Sequence, residues 1–368
     1  MIVTGFNKGG ADYIDAKIKE AIEDGSRTAI ISGYWEIERA VRLPSNITLI
    51  LEGCHLRMAD GVYSNMFLNE HYGTDIGKTL DGADTNINIK GRGMAIIDGG
   101  SFNGLTERTA NKNGLPSMWN NNPLIFANVD GFSISDLKVI NQRWWALTFV
   151  FSRNGYVGNI EFCSNDTAID ENGKEYHCLD YTKYEEVLVK NSDGIDLRVG
   201  CHDIKIENIT GFVEDDTVAL TALPGYHETK NIGVDGMSTD IYNVEIRNIR
   251  SSSFCSMVRL LNQGGTKLHD ILIDGVYDQS ETCPHLIHGL NAVRIGDLHA
   301  YGSRHATEDE TYNIIIRNVY AAGENGIKLA GAMKNVSFYG IECKRSTRMI
   351  CDERGVALSP KFDFNKNK

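Results

Sequence analysis

One short pattern, apolar-x-apolar-x-(Asn, Gly or Asp)-apolar, recurs along this chain and limits what it can fold into. It appears as INIKGR (87–92), FSISDL (132–137), IKIENI (204–209), VEIRNI (244–249), ILIDGV (271–276), IIIRNV (314–319) and VSFYGI (336–341). Alternation of period two marks a strand with one buried face, and the Asn, Gly or Asp that follows suits a bend in the left-handed region. A second apolar strand follows some copies, as in TVALTA (217–222) and GIKLAG (326–331). The bend residue recurs at 208, 248, 275, 318 and 340, in steps of 40, 27, 43 and 22. A basic coil of about 22 residues, lengthened by insertions, accounts for these steps and predicts a parallel β-helix solenoid. Propeller blades would require a longer and steadier period.

An open solenoid end exposes apolar rungs, so a cap is required. The segment 12–24 supplies one, with Ile14, Ile18, Ala21 and Ile22 at helical spacing and Gly25 to stop it. The expected organisation is a single all-β domain over 1–358 with an N-terminal α-helical cap, a polar insertion at 163–190, and a loose polar tail at 359–368.

The 37 basic and 49 acidic side chains give a net charge of −12, which opposes a nucleic-acid partner because that surface would be basic. No basic segment followed by an apolar run opens the chain, and no apolar stretch reaches about 18 residues, so a cytoplasmic location without membrane contact is expected. The eight cysteines show no CxxC spacing and the histidines no HExxH; neither a metal nor another cofactor is expected. Most of the cysteines read as small buried hydrophobes.

Residues 191–220 read NSDGIDLRVGCHDIKIENITGFVEDDTVAL. NSDGID followed by an Asp-Asp pair one coil later resembles glycoside hydrolase family 28, the polygalacturonases and their relatives. The resemblance is tight over 191–220 and architectural over the rest, including the cap and the alternating first coils at 27–56. It implies a single-stranded right-handed parallel β-helix and an O-glycosidase acting on pectin-derived or related plant-type oligosaccharides. It also implies Asp215 as general acid, with Asp193 and Asp216 positioning and activating water, and Asn191 and Asp196 beside them. The chemistry wants the same groups: inversion needs a protonated acid and a carboxylate that activates water, and crowded acids raise one another's pKa.

The family continues with a Gly-His-Gly tripeptide and an Arg-x-Lys pair, and neither is intact here. Counted by distance to the next arginine, GYH (225–227) offers His227 and VRLL (258–261) offers Arg259, with Leu261 in place of lysine. Counted by coils, 251–261 is the next rung, so Cys255 to Met257 take the histidine position and 223–240 becomes a loop over the site. The missing lysine leaves two substrates open: a neutral sugar, or an oligouronide held by another cation such as Arg198 or Lys230. Trp145, one coil before the acids, is expected to face outward as a sugar-stacking platform. The insertion at 163–190 is expected to wall one end of the groove and favour exo action on an oligosaccharide substrate. A calcium-dependent lyase using the same acids and a non-catalytic carbohydrate-binding β-helix are the alternatives, and monomer and homo-oligomer are equally compatible with the sequence.

Overall fold

The computed structural model describes residues 5–100, 118–170, 172–180, 182–183, 187–188, 192–225, 231–301 and 304–361. Two parallel sheets of ten strands each run the length of a right-handed β-helix. Each coil gives one strand to each of these sheets, so a strand within them pairs with the one a full turn away.

Inward side chains form columns. In the first sheet Ile204, Val244, Ile271, Ile314 and Val336 occupy one register position, and Ile206, Ile246, Ile273, Ile316 and Phe338 the next inward one. The second sheet stacks Leu197, Leu220, Leu260, Ile295 and Leu329 in the same way. Burial of these columns is the main favourable term, since a single coil cannot hide its own apolar face.

The recurrent Asn or Gly is a bend within each long strand of the first sheet. Asp136, Asn159, Asn208, Asn248 and Asn318 have φ between 51° and 61°. Their side chains form a ladder from coil to coil: Asn159 Nδ2 donates to Asp136 Oδ1 (2.9 Å), Asn208 Nδ2 to Asn159 Oδ1 (3.0 Å) and Asn248 Nδ2 to Asn208 Oδ1 (2.7 Å). Asparagine tolerates this conformation, and here its amide also meets its neighbour's carbonyl.

A second ladder precedes the first and was not anticipated from the sequence. Asn154, Asp203, Asn243, Asp270, Asn313 and Asn335 have φ between 52° and 55°. Asn313 Nδ2 donates to Asp270 Oδ1 (2.9 Å) and Asn335 Nδ2 to Asn313 Oδ1 (3.1 Å). Each member stands five residues before its partner in the first ladder: 203 and 208, 243 and 248, 270 and 275, 313 and 318, 335 and 340.

The helix Gly10–Glu23 closes the N-terminal end, burying Ala11, Ile14, Ile18 and Ala21. Ile22, expected on the same face, is 37% exposed at its edge. Gly10 is required where the helix meets the first strand, since a Cβ there would lie 2.4 Å from Glu36 O. At the other end Ser359–Lys361, expected to be part of a loose tail, pairs in parallel with His299–Ala300.

Candidate active site

The acids lie where the chain passes from the first sheet to the second. Gly194 N donates to Asp216 O and Thr217 N to Ser256 O (both 2.9 Å), so NSDG, EDDT and CS occupy successive rungs. Ala219 pairs directly with Arg259, which decides between the two registers in favour of counting by coils. Cys255 therefore stands beside Asp215, and 223–240 is an excursion between coils.

Asp193, Asp215 and Asp216 each place a carboxylate oxygen within 4.8 Å of the other two. This is closer than the ~6.5–9.5 Å between carboxyl groups of most inverting pairs. The backbone holds the cluster: Asp216 N donates to Asp193 Oδ1 (3.1 Å), and buried Glu214 accepts from Ser192 N (2.7 Å) and Ser192 Oγ (3.0 Å). Ser253 Oγ donates to the carbonyl of Asp215.

Burial and mutual repulsion act together on these groups. Burial, then the charges of Asp216 and Glu214, push Asp215 up to about 8, against a lowering hydrogen bond from Cys255. Asp193 is raised well above the usual carboxylate range by burial and by Asp196, Asp215 and Asp216. Asp196 is lifted to about 7 by burial, with Asp216 adding and Arg198 opposing. Asp193, Asp196 and Asp216 are buried, whereas Asp215 retains partial solvent access. Asp215 is thus the member that can hold a proton near neutral pH and present it to a bound molecule.

Asp196 projects outward from the second sheet, level with Thr148 and Ala219 on neighbouring rungs. Apart from a side-chain hydrogen bond with Asp193, which opposes the rise in its pKa, the Asp196 carboxylate has no hydrogen-bond partner among the described residues; Asp216 Oδ1, Thr148 Oγ1 and the Nε atoms of Arg259 and Arg294 are buried without one.

Arg259 follows in the same outward column, succeeded by Arg294 and Lys328. Its Nη1 donates to Asp216 Oδ2 (3.1 Å) and its Nη2 to Asp297 Oδ2 (2.5 Å), while Arg294 Nη2 donates to Asp297 Oδ1 (2.5 Å). The Tyr301 ring lies 5.3 Å from the Arg259 guanidinium carbon. Burial opposes the charge on Arg259, but Tyr301, Asp216 and Asp297 outweigh it and keep the group protonated. Leu261 is buried at 2% exposure.

Trp145 is not an open stacking platform. It does face outward from the coil, yet it is only 6% exposed, packed with Trp119, Tyr72, Val199, Ile232 and Val234. Arg198 lies over its ring at 4.4 Å. Ile232 and Val234, from the described part of the 223–240 segment, cover the indole. Asn191 and His227 lie outside the described residues.

The 163–190 insertion closes the opposite flank. Leu179–Asp180 pairs with Leu286–His288, Cys178 Sγ donates to Pro284 O (2.9 Å), and His285 Nδ1 meets Asp166 Oδ2 (3.1 Å). Leu179, Phe212, Phe254 and Leu286 form an apolar cluster against which Cys255 packs. A cavity of about 520 Å³ lined by Phe162, Cys163, Phe212, Cys283 and His285 lies between the coils and the 279–285 segment.

Glu214, Asp297 and Tyr301 were not singled out from sequence. The aligned strands VALT, VRLL, VRIG and IKLA, which place Ala219, Arg259, Arg294 and Lys328 in one column, carried a signal for the basic row and hence for the acid between two arginines.

No protein-family profile and no curated protein matches the chain. Solved structures do. A hyperthermoactive exopolygalacturonase from Thermotoga maritima aligns over 93% of this chain and 87% of its own, at TM-score 0.51 and 13% identity. A tailspike protein of E. coli bacteriophage HK620, in complex with a pentasaccharide, aligns at TM-score 0.60 and 15% identity over 95% of this chain, which spans 60% of the tailspike. A 4-galactohydrolase named for a sulfated galactose and anhydrogalactose substrate aligns at TM-score 0.56 and 13% identity, over 99% of this chain and 92% of its own. At these identities the likeness establishes the parallel β-helix.

Proposed function

We propose that the protein is a glycoside hydrolase that cleaves an oligosaccharide by an inverting, carboxylate-based mechanism, acting from a chain end. The observation that carries this is the convergence of Asp193, Asp215 and Asp216 on adjacent rungs, with Asp215 solvent-accessible and protonated up to about 8. Asp215 gives its proton to the glycosidic oxygen as the bond to the anomeric carbon breaks. Asp193 and Asp216 hold a water between them, and Asp216, whose Oδ1 has no hydrogen-bond partner among the described residues, accepts its proton as the water oxygen bonds to that carbon. Water is thereby added across the bond, Asp216 releases the proton it took to solvent, and Asp215 regains one from solvent. The names of the exopolygalacturonase and galactohydrolase neighbours agree with this class.

Exo action is supported by the walls: the insertion and the 279–290 excursion on one flank, and the Trp119, Trp145 and 223–240 assembly on the other. The test is digestion of pectic and neutral oligosaccharides by wild type and Asp215→Asn in EDTA, with product anomers followed by proton NMR. Expected are chelator-insensitive cleavage, inverted anomers, release from one chain end, and loss of activity in the variant. Retained anomers would make a carboxylate the nucleophile, and unsaturated products lost with EDTA would replace hydrolysis by metal-assisted elimination.

A further inference from the structure

In the hydrolase reading, on which this inference rests, Asp215 serves as general acid only while it holds a proton and keeps its place beside Asp193. Glu214, the residue before it, bears on both. Glu214 is 0% exposed, so it is not itself open to a ligand. Its Oε2 accepts from both Ser192 N (2.7 Å) and Ser192 Oγ (3.0 Å), and Asp215 N donates to Ser192 O (3.3 Å). Ser192 and Glu214 are the residues just before Asp193 and Asp215, and stand 22 positions apart as the two acids do. The tie therefore joins the two rungs one residue away from the carboxylates whose spacing matters.

A neutral acceptor could satisfy Ser192, and burying an ion is costly even when it is hydrogen-bonded. The tie alone does not account for the charge, and the surroundings give it a second task. Arg259 Nη1 donates to Asp216 Oδ2 (3.1 Å), so a cation attends one member of the Asp-Asp pair. An anion attends the other: after burial and Asp216, the charge of Glu214 raises Asp215, while Cys255 and Arg259 oppose the rise. The groups around Asp215 are thus Glu214 and Asp216 from its own rung, Asp193 from the rung before, and Cys255 and Arg259 from the rung after.

We propose that Glu214 is a positioning residue for the general acid: through Ser192 it fixes the rung of Asp215 against that of Asp193, and its buried negative charge disfavours a second charge on Asp215. The neighbours of the Asp-Asp pair thereby divide the work, an anion holding Asp215 as the acid and a cation accompanying Asp216 as the base.

The test takes whichever pectic or neutral oligosaccharide the wild type cleaves and follows kcat/KM against pH for wild type, Glu214→Gln and Ser192→Ala. Glutamine keeps an acceptor for Ser192 and loses the charge, so the basic limb of the Glu214→Gln profile should move to lower pH by about 0.5–1.5 units. Ser192→Ala keeps the charge and loses one bond of the tie, so kcat should fall about tenfold, with KM within about twofold and the limb in place. An unmoved limb in folded Glu214→Gln overturns the role of the charge, while the hydrolase reading stands on the wild-type cleavage. Equal limb shifts in both variants would make spacing the cause and overturn the role of the charge as well. A wild-type kcat in Ser192→Ala overturns the role of the tie. Should Glu214→Gln not fold by circular dichroism, Ser192→Ala still decides the tie, on which the proposal then stands or falls. Cleavage of no oligosaccharide by the wild type overturns the hydrolase reading and this role with it.

Discussion

Replacing Asp215 by asparagine is expected to abolish turnover and, above mildly acidic pH, to make the protein more stable. Burial and the neighbouring acids keep this carboxyl protonated in the folded chain up to about 8, whereas an unfolded chain releases the proton near ~3.9. Below about pH 4 the group is neutral in both states, and variant and wild type should unfold alike. As pH rises further, the unfolded wild type gains ionisation free energy of ~1.4 kcal/mol per unit while the folded state stays protonated, so wild-type stability falls. Between ~3.9 and 7 an isolated group would lose about 4 kcal/mol. Asp193 and Asp196 take part in the same titration, so the share removed with Asp215 is about 2–4 kcal/mol. Paired urea titrations at about pH 3 and about pH 7.5 measure it, with the variant gaining only at the higher pH. A variant that is less stable at the higher pH, or a difference that does not widen with pH, would refute the picture of a strained acid cluster. The accompanying fall in kcat should be ~10²–10⁴-fold, the usual worth of a general acid.

Cys255→Ala removes the hydrogen bond that lowers the Asp215 pKa, so the basic limb of the kcat/KM profile should move to higher pH, while Cys255→Ser should keep it near its original position; a limb that stays put in the alanine variant would show that the thiol does not tune the acid. Asn248→Ala loses a 2.7 Å ladder bond to Asn208 and forces alanine to a φ near 51°, which should cost about 2–3 kcal/mol. Asn248→Gly loses the bond but not the conformation and should cost less, as read by urea midpoints, and equal losses would mean that the backbone conformation is not what the asparagine supplies.

Much of the fold was written in one visible pattern. The alternation IKIENI, VEIRNI, ILIDGV and its bend asparagine placed the inward columns and the first ladder, because burial and left-handed backbone both leave a mark on single positions. The second ladder left the same mark at Asp203, Asn243, Asp270 and Asn313, but these precede the apolar run and read as ordinary polar strand positions. At the site, the spacing of Asp193 and Asp215 revealed adjacent rungs. The position of Arg259 could not be reached that way, since an excursion of unknown length separates it from Asp216 and only the Ala219 to Arg259 pairing removes the ambiguity. The cover over Trp145 was hidden for a related reason. Its neighbours Trp119, Ile232 and Val234 are far along the chain, and no local alternation records what a distant loop will rest on.

The constant five-residue interval between the two ladders separates what this architecture holds still from what it leaves free. From residue 154 to residue 340 the variation in coil length falls outside that interval, in segments such as 223–240 and 279–290 that flank the acids without setting their spacing. An excursion can therefore be shortened, lengthened or exchanged while every rung keeps its register. The walls of the site become interchangeable parts on a fixed rail, and engineering of substrate selectivity here should begin with loop transplantation rather than with the rungs.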